Sequence, residues 1–212
     1  MKKEEKTKLT CEKIIQAAIA EFGTKTYEAA SLNTICSENQ ISKGLIYHNF
    51  KNKDELYLIC VSQCYDKMTE HIQAVICDAE NIQEKIKQLL NGRQYFFREN
   101  PYYRQIFFNS ILMPPAHLIK ELRQLRQGYD ECVRERYQEL LLQMELREGV
   151  SVHKAVDYLM VFQEMYNSYF RSMDCKNEDM GTLIEAHENK LSEMLDIALY
   201  GLIEKKKTGS EQ

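Results

Sequence analysis

From Thr10 to Phe22 the apolar residues Ile14, Ala18 and Phe22 recur every fourth position, with Ile15 and Ile19 alongside. That spacing lays one stripe along a helix. The same period returns along most of the 212 residues, and no segment keeps the two-residue alternation of a half-buried strand. A chain patterned in this way must bury its stripes helix against helix. Only three prolines and eight glycines punctuate it, few for a β-rich fold with many tight turns. The expected fold class is all-α.

Capping residues divide the pattern. Gly23 ends the first helix. Ser31 is a good N-cap for a short helix over 31–37, with Leu32, Ile35 and Cys36 facing inward. Ser42 can cap a second short helix over 42–49. Asn52, with Glu55 three residues on, forms a capping-box pattern that opens a long helix over 53–78. Its buried stripe is expected at Leu56, Cys60, Cys64, Met68, Ile72, Val75 and Ile76. A further helix after Asn81 carries Ile86, Leu89, Phe96 and Phe97, and breaks at Asn100-Pro101. Pro101 suits a first helical position, and that helix runs to Pro114-Pro115. Long segments follow at 116–147 and 152–172. A loop is expected at 174–181 and a last helix at 182–205.

The charge is unevenly placed. Residues 1–53 hold nine lysines and six glutamates, whereas the remainder holds 19 basic and 26 acidic residues in a chain of net −4. A basic end on an acidic body suits contact with an anionic partner. No apolar run reaches the roughly 18–20 residues of a membrane span. The start, MKKEEKTKLT, has no apolar stretch or cleavage site of a secretory signal. Seven irregularly spaced cysteines fit reduced thiols and a cytoplasmic location.

Two short helices joined by a tight turn, the second polar and basic on one face, form a helix-turn-helix pattern. Here 31–37 is the bracing helix and 42–49 the recognition helix. Ser42 and Lys43 lie at its N-terminus, where free N–H groups and the helix dipole favour phosphate. Gly44 leaves the backbone free to approach a duplex. Lys43, His48 and Asn49 can bond base edges or phosphates, and Leu45 can meet a thymine methyl. Tyr47, Lys51 and Lys53 suit phosphate contacts.

The run SKGLIYHNFKNKDEL, preceded by IIQAAIAEFG and SLNTICSENQI, resembles the N-terminal domain of the TetR family of bacterial transcriptional regulators. The matching positions are Ile41, Ser42, Lys43, Gly44, Ile46, Tyr47, Phe50, Lys51, Lys53 and Leu56. The pair Asn39-Gln40 stands where that family usually has Ala-Gly, and Cys36 takes a place usually held by Ala. A left-handed turn residue is expected there, tolerated by Asn39 better than by Gln40.

The resemblance implies a helix-turn-helix DNA-binding domain over 1–53, joined to a larger helical domain over 54–212 that binds an effector and dimerises through the last two helices. It implies a repressor that binds a near-palindromic double-stranded DNA operator as a homodimer and is released by a small, hydrophobic effector. The expected DNA-binding set is Ser31, Asn33, Ser42, Lys43, Gly44, Leu45, Tyr47, His48, Asn49, Lys51 and Lys53. Aromatic and methionine residues cluster in two places that suit an apolar pocket. Tyr95, Phe96, Phe107, Phe108 and Met113 form one; Phe162, Met165, Tyr166 and Tyr169 form the other. Arg104 and His117 are candidate polar groups, with Arg93, Arg98 and Glu164 behind them. Each aromatic taken singly is also an ordinary core residue.

Cys60, Cys64 and His71 share a helix, but the cysteines fall on the buried stripe and no CxxC pair exists, so no metal is expected. No GxxxxGK[ST], HExxH or GxSxG occurs. The chain is therefore expected to be no enzyme and to need no cofactor. A helical carrier that never meets DNA, or an all-helical enzyme, stays open on residues alone; salt-dependent DNA binding, or turnover of a bound ligand, would tell them apart.

Overall fold

The computed structural model describes residues 3–79, 82–173 and 180–200. Nine α-helices lie along them: α1 Lys3–Phe22, α2 Leu32–Asn39, α3 Lys43–Asn49, α4 Lys53–Ala74, α5 Ile82–Glu99, α6 Pro101–Leu112, α7 Ile119–Leu141, α8 Val152–Ser172 and α9 Met180–Tyr200, with a 3₁₀ turn Ala116–Leu118 before α7. No extended strand occurs among the described residues.

Most boundaries fall where the caps put them. Ser31 Oγ accepts from the Asn33 N–H at 3.1 Å, Ser42 Oγ from Leu45 at 3.2 Å and Asn52 Oδ1 from Glu55 at 2.9 Å. The Glu55 carboxylate reaches back to the Lys51 N–H at 2.5 Å. Three expectations change. Helix α1 starts at Lys3, about three turns ahead of Ile14, the first residue of its apolar stripe. Helix α4 ends at Ala74, which leaves Ile76 75% exposed instead of on the buried stripe. Helix α7 ends at Leu141, so the segment expected to run to 147 finishes in a turn. The loop expected at 174–181 lies, up to residue 179, outside the described residues, as does the last helix beyond Tyr200.

Packing divides the chain into two compact units. One comprises Met1–His71 and Tyr95–Asp130, the other Ile72–Gln94 and Glu131–Gln212. Helices α4, α5 and α7 contribute to both.

In the first unit, Ile14, Ala18 and Phe22 of α1 meet Ile35, Ile41, Ile46, Phe50 and Leu56, all buried. Helices α2 and α3 are short, so this small core needs cover from beyond it, and α6 packs on α1. The approach is close: a Cβ on Gly23 would lie 2.5 Å from Tyr102 Cβ, so the residue after α1 must be the smallest one. Asn109 of α6, itself buried, donates to the Lys25 carbonyl at 3.0 Å. Deeper in, Tyr65, Phe96, Phe97, Phe107, Phe108 and Tyr129 pack ring on ring, with successive centroids 5.0–5.8 Å apart.

The second unit buries Leu159 and Phe170 of α8 with Leu183, Leu191 and Leu195 of α9. Several polar groups in this core are paired. Arg93 and Glu188 pair at 2.8 Å, His187 Nε2 meets Asn167 Oδ1 at 2.9 Å, and the Tyr166 hydroxyl donates to the His187 carbonyl at 2.8 Å. Burial holds His187 below the usual histidine range and thus favours its neutral ring.

Candidate nucleic-acid interface

Helix α3 is two-faced. Ile41, Ile46 and Phe50 are buried, while Ser42, Lys43, Gly44, Leu45, Tyr47 and His48 are exposed. Tyr47 is 59% exposed and Leu45 37%, which no core residue would be. The apolar residues pin the helix, and a basic, hydrogen-bonding face is left to solvent. Nothing lies within 4 Å of a Cβ built on Gly44. Its lack of a side chain therefore meets no need of the fold.

Asn49 is half-buried and differently engaged. Its Nδ2 donates to the Leu45 carbonyl at 2.7 Å and its Oδ1 accepts from Cys11 Sγ at 3.2 Å. Cys11 thereby ties α1 to the end of α3. Lys51 is exposed. Asn33 is exposed beside Ser31, whose N–H donates to the buried Glu21 carboxylate at 2.8 Å. Glu21 also holds Lys25 at 2.8 Å, so one carboxylate fixes both the exit of α1 and the entry of α2. Nothing in its sequence neighbourhood marks Glu21 out, because its partners lie four and ten residues away.

The turn between α2 and α3 resolves the Asn39-Gln40 question. Gln40 takes the left-handed conformation, φ 54° and ψ 40°, and the following Ile41 N–H bonds the Cys36 carbonyl at 3.0 Å. Asn39 stays helical, with its side-chain amide on the Ile35 carbonyl at 3.1 Å. A residue with a Cβ at that φ costs about 1 kcal/mol. Gln40→Gly is expected to raise stability by roughly 0.5–1 kcal/mol, less the added entropy of the unfolded chain. Urea denaturation measures it; an unchanged midpoint would mean that Gln40 carries no strain.

Lys53, half-buried at the start of α4, sits with Nζ 4.2 Å from the centre of the Tyr27 ring. Such a contact contributes about 0.5–1 kcal/mol in a solvated setting. Desolvation draws the ammonium below the ordinary lysine range, while Glu28, Asp54 and Glu21 oppose the shift. The Tyr27 hydroxyl donates to Asp54 Oδ1, which also meets His117 Nε2 at 3.2 Å. The Tyr27 bond is the largest factor holding the Asp54 carboxyl below its usual range, and burial keeps the Tyr27 hydroxyl protonated.

The residues nominated for an effector pocket occupy distinct settings. Phe96, Phe107 and Phe108 belong to the close-packed ring cluster of the first unit. Tyr95 and Met113 of that unit are about half exposed. Arg104 is half-buried and His117 faces Asp54. Phe162, Met165, Tyr166 and Tyr169, in the second unit, do come together: with Lys190, Glu193 and Met194 they line an open groove of about 520 Å³ between α8 and α9. Cys60 and Cys64 are buried, and burial pushes the Cys60 thiol up to about 12. No cluster of three or more His, Cys, Asp or Glu able to hold a metal occurs among the described residues.

An all-helical chain with a basic helix-turn-helix head on a larger helical body defines a class of DNA-binding regulators. Comparison with known proteins gives the family. The family model for bacterial regulatory proteins of the tetR family matches residues 14–59, and that for the tetracyclin repressor-like C-terminal domain matches residues 80–203. The chain belongs to the TetR family of transcriptional regulators.

It is 34% identical over 73 residues to the transposon Tn10 TetC protein of Escherichia coli, a match covering 34% of this chain and 35% of that one. Over 55 residues it is 34% identical to IcaR, the HTH-type negative transcriptional regulator of the biofilm operon icaADBC in Staphylococcus epidermidis, covering 26% and 30%. These matches span about a third of either relative. The structure of the transcriptional regulator FadR from Bacillus subtilis, in complex with stearoyl-CoA, superposes with a TM-score of 0.60 at 18% identity, over 87% of this chain and 96% of that one. At that identity the likeness is one of fold.

Proposed function

We propose that this chain is a homodimeric repressor whose segment 1–53 reads a near-palindromic operator and whose segment 54–212 dimerises and takes a small hydrophobic effector. The observation that carries the DNA reading is the contrast between Ile46 of α3, buried with the flanking Ile41 and Phe50, and the exposed Lys43, Gly44, Leu45, Tyr47 and His48. On this reading those exposed residues meet the major groove, with Ser42 capping the helix and Lys51 and Lys53 on phosphates. Two such helices, one per subunit, would enter successive grooves about 34–36 Å apart.

Dimerisation is supported by α8 and α9. Tyr158, Val161, Met165 and Tyr169 of α8, and Met194 and Ile197 of α9, are each 40–67% exposed. The four on α8 follow helical spacing, so that helix offers an apolar stripe away from the one it buries, and Met194 and Ile197 of α9 add to it. Two copies pairing these stripes make a four-helix bundle. Phe162, Met165, Tyr166 and Tyr169 then belong to the subunit seam. The effector site then lies elsewhere in segment 54–212, and the stearoyl-CoA held by the Bacillus subtilis protein is in keeping with a long apolar ligand. Effector binding to a dimer with mis-spaced heads would weaken DNA binding by linkage.

The test is fluorescence anisotropy on duplexes from the chain's own promoter region and on mixed-sequence DNA, over a range of salt. Affinity is expected to fall steeply with salt as phosphate contacts release counterions. Lys53→Ala is expected to weaken binding to every duplex and to lower the salt slope by about one per subunit. A wild-type chain with no salt-dependent duplex binding would sink the reading. Native mass spectrometry of the purified protein reports subunit number and any co-purified effector together.

A further inference from the structure

Two residues from separate stretches of the first unit bind the one carboxylate of Asp54, beside Lys53. Tyr27 comes from the loop after α1, Lys53 and Asp54 open α4, and His117 comes from the 3₁₀ turn that follows α6 and Pro114-Pro115. The Tyr27 hydroxyl and His117 Nε2 both bind Asp54 Oδ1. The Tyr27 ring stands edge-on to the buried Tyr57 at 5.0 Å and 5.6 Å from the His117 ring, and Lys53 Nζ lies on it.

We propose that Tyr27 is the positioning residue of the Lys53 phosphate clamp, acting by occupying Asp54, and that His117 supplies the second hold on that carboxylate. This rests on the DNA reading above. The chemistry is a competition. Lys53 and Asp54 are adjacent and opposite in charge, and a carboxylate with no other donor is the natural partner of that ammonium. A lysine so paired has little charge left for a phosphate. Tyr27 and His117 give Asp54 donors of its own and fix its orientation. The Tyr27 face meanwhile holds the flexible lysine stem in place without neutralising it, because an ammonium on a ring keeps its N–H groups available. The turn bearing His117 thus bears on the strength of the clamp, although it lies 64 residues further along the chain.

The test is the salt slope of binding to a mixed-sequence DNA duplex. Tyr27→Phe keeps the ring and loses only the donor. It is expected to reproduce the lowered slope of Lys53→Ala and to weaken binding several-fold, and Lys53→Ala added to it should change the slope no further. Asp54→Asn in the Tyr27→Phe background is expected to restore the wild-type slope, a rescue that a merely structural defect would not show. His117→Ala should move the slope in the same direction. A wild-type slope in Tyr27→Phe or no rescue by Asp54→Asn overturns the inference while leaving the DNA reading intact; an unaltered slope in Lys53→Ala overturns the inference and removes Lys53 from the phosphate contacts of that reading. A wild-type chain without salt-dependent binding overturns both. Far-ultraviolet circular dichroism checks that each variant is folded, and Asp54→Asn alone, expected to bind at least as tightly as wild type, provides a second route should Tyr27→Phe not fold.

Discussion

Glutamate placed at both Met165 and Tyr169 will leave the chain monomeric and weaken its operator binding by about two orders of magnitude or more. The two side chains are 61% and 54% exposed on α8, one helical turn apart, on the stripe proposed as the subunit seam. As exposed residues they contribute little to the fold, so helicity and melting of the subunit should change little. In the seam each would become a desolvated carboxylate. An unpaired buried charge costs several kcal/mol, and a two-fold interface carries every substitution twice. Four such charges outweigh what an apolar stripe of this kind contributes. The DNA effect follows by mass action, because two half-sites read by one dimer share an effective concentration that free monomers lack. Native mass spectrometry reads the first outcome and anisotropy the second. A double variant that remains dimeric would place the subunit contact elsewhere.

The second large effect is on the fold. Phe107→Ala is expected to destabilise the chain by about 3–5 kcal/mol, a large share of the 5–15 kcal/mol that holds a typical domain together. Phe107 is 2% exposed, with Phe97, Phe108, Tyr129 and Tyr65 ring centroids 5.0–5.6 Å away. Its removal leaves a cavity walled by rigid rings that cannot collapse. The measurement also bears on the effector pocket. A Phe107 that faced an open cavity would cost far less on truncation, since fewer contacts would be lost. Urea denaturation decides it, and a loss under about 1 kcal/mol would return Phe107 to the candidates for ligand contact.

Much of the proposed DNA-reading surface was legible along the chain because it is local. Ser42 caps α3, and Ile46 and Phe50 turn inward by helical period alone, which leaves Lys43, Gly44, Tyr47 and His48 outward. The left-handed turn was legible too, as the pair Asn39-Gln40 sits where a glycine is usual. That Gln40 takes the strain follows from Asn39 spending its side chain on the Ile35 carbonyl. Asn49 was less legible, since its engagement with Cys11 joins residues 38 apart. The same holds for Ile76. Apolar spacing extends the stripe of α4 past Ala74, but spacing does not say where a helix stops.

The amino-acid sequence by itself determined the helical class, the order of the helices, the head at the N-terminus and the family. All of these rest on periods of three to four residues and on caps within a few positions of each other, interactions that need no knowledge of the rest of the fold. The tertiary structure alone decided which aromatics became core and which stayed on a face. By spacing, Phe107 and Tyr169 are equivalent apolar positions, yet one is enclosed by rings from α4, α5 and α7 and the other is left to solvent. It also decided that His117, nominated as a ligand contact, meets Asp54 at the entrance of α4. Residues 27, 54 and 117 have no shared period. Only the packing of α6 on α1, close enough to require Gly23, brings the three together.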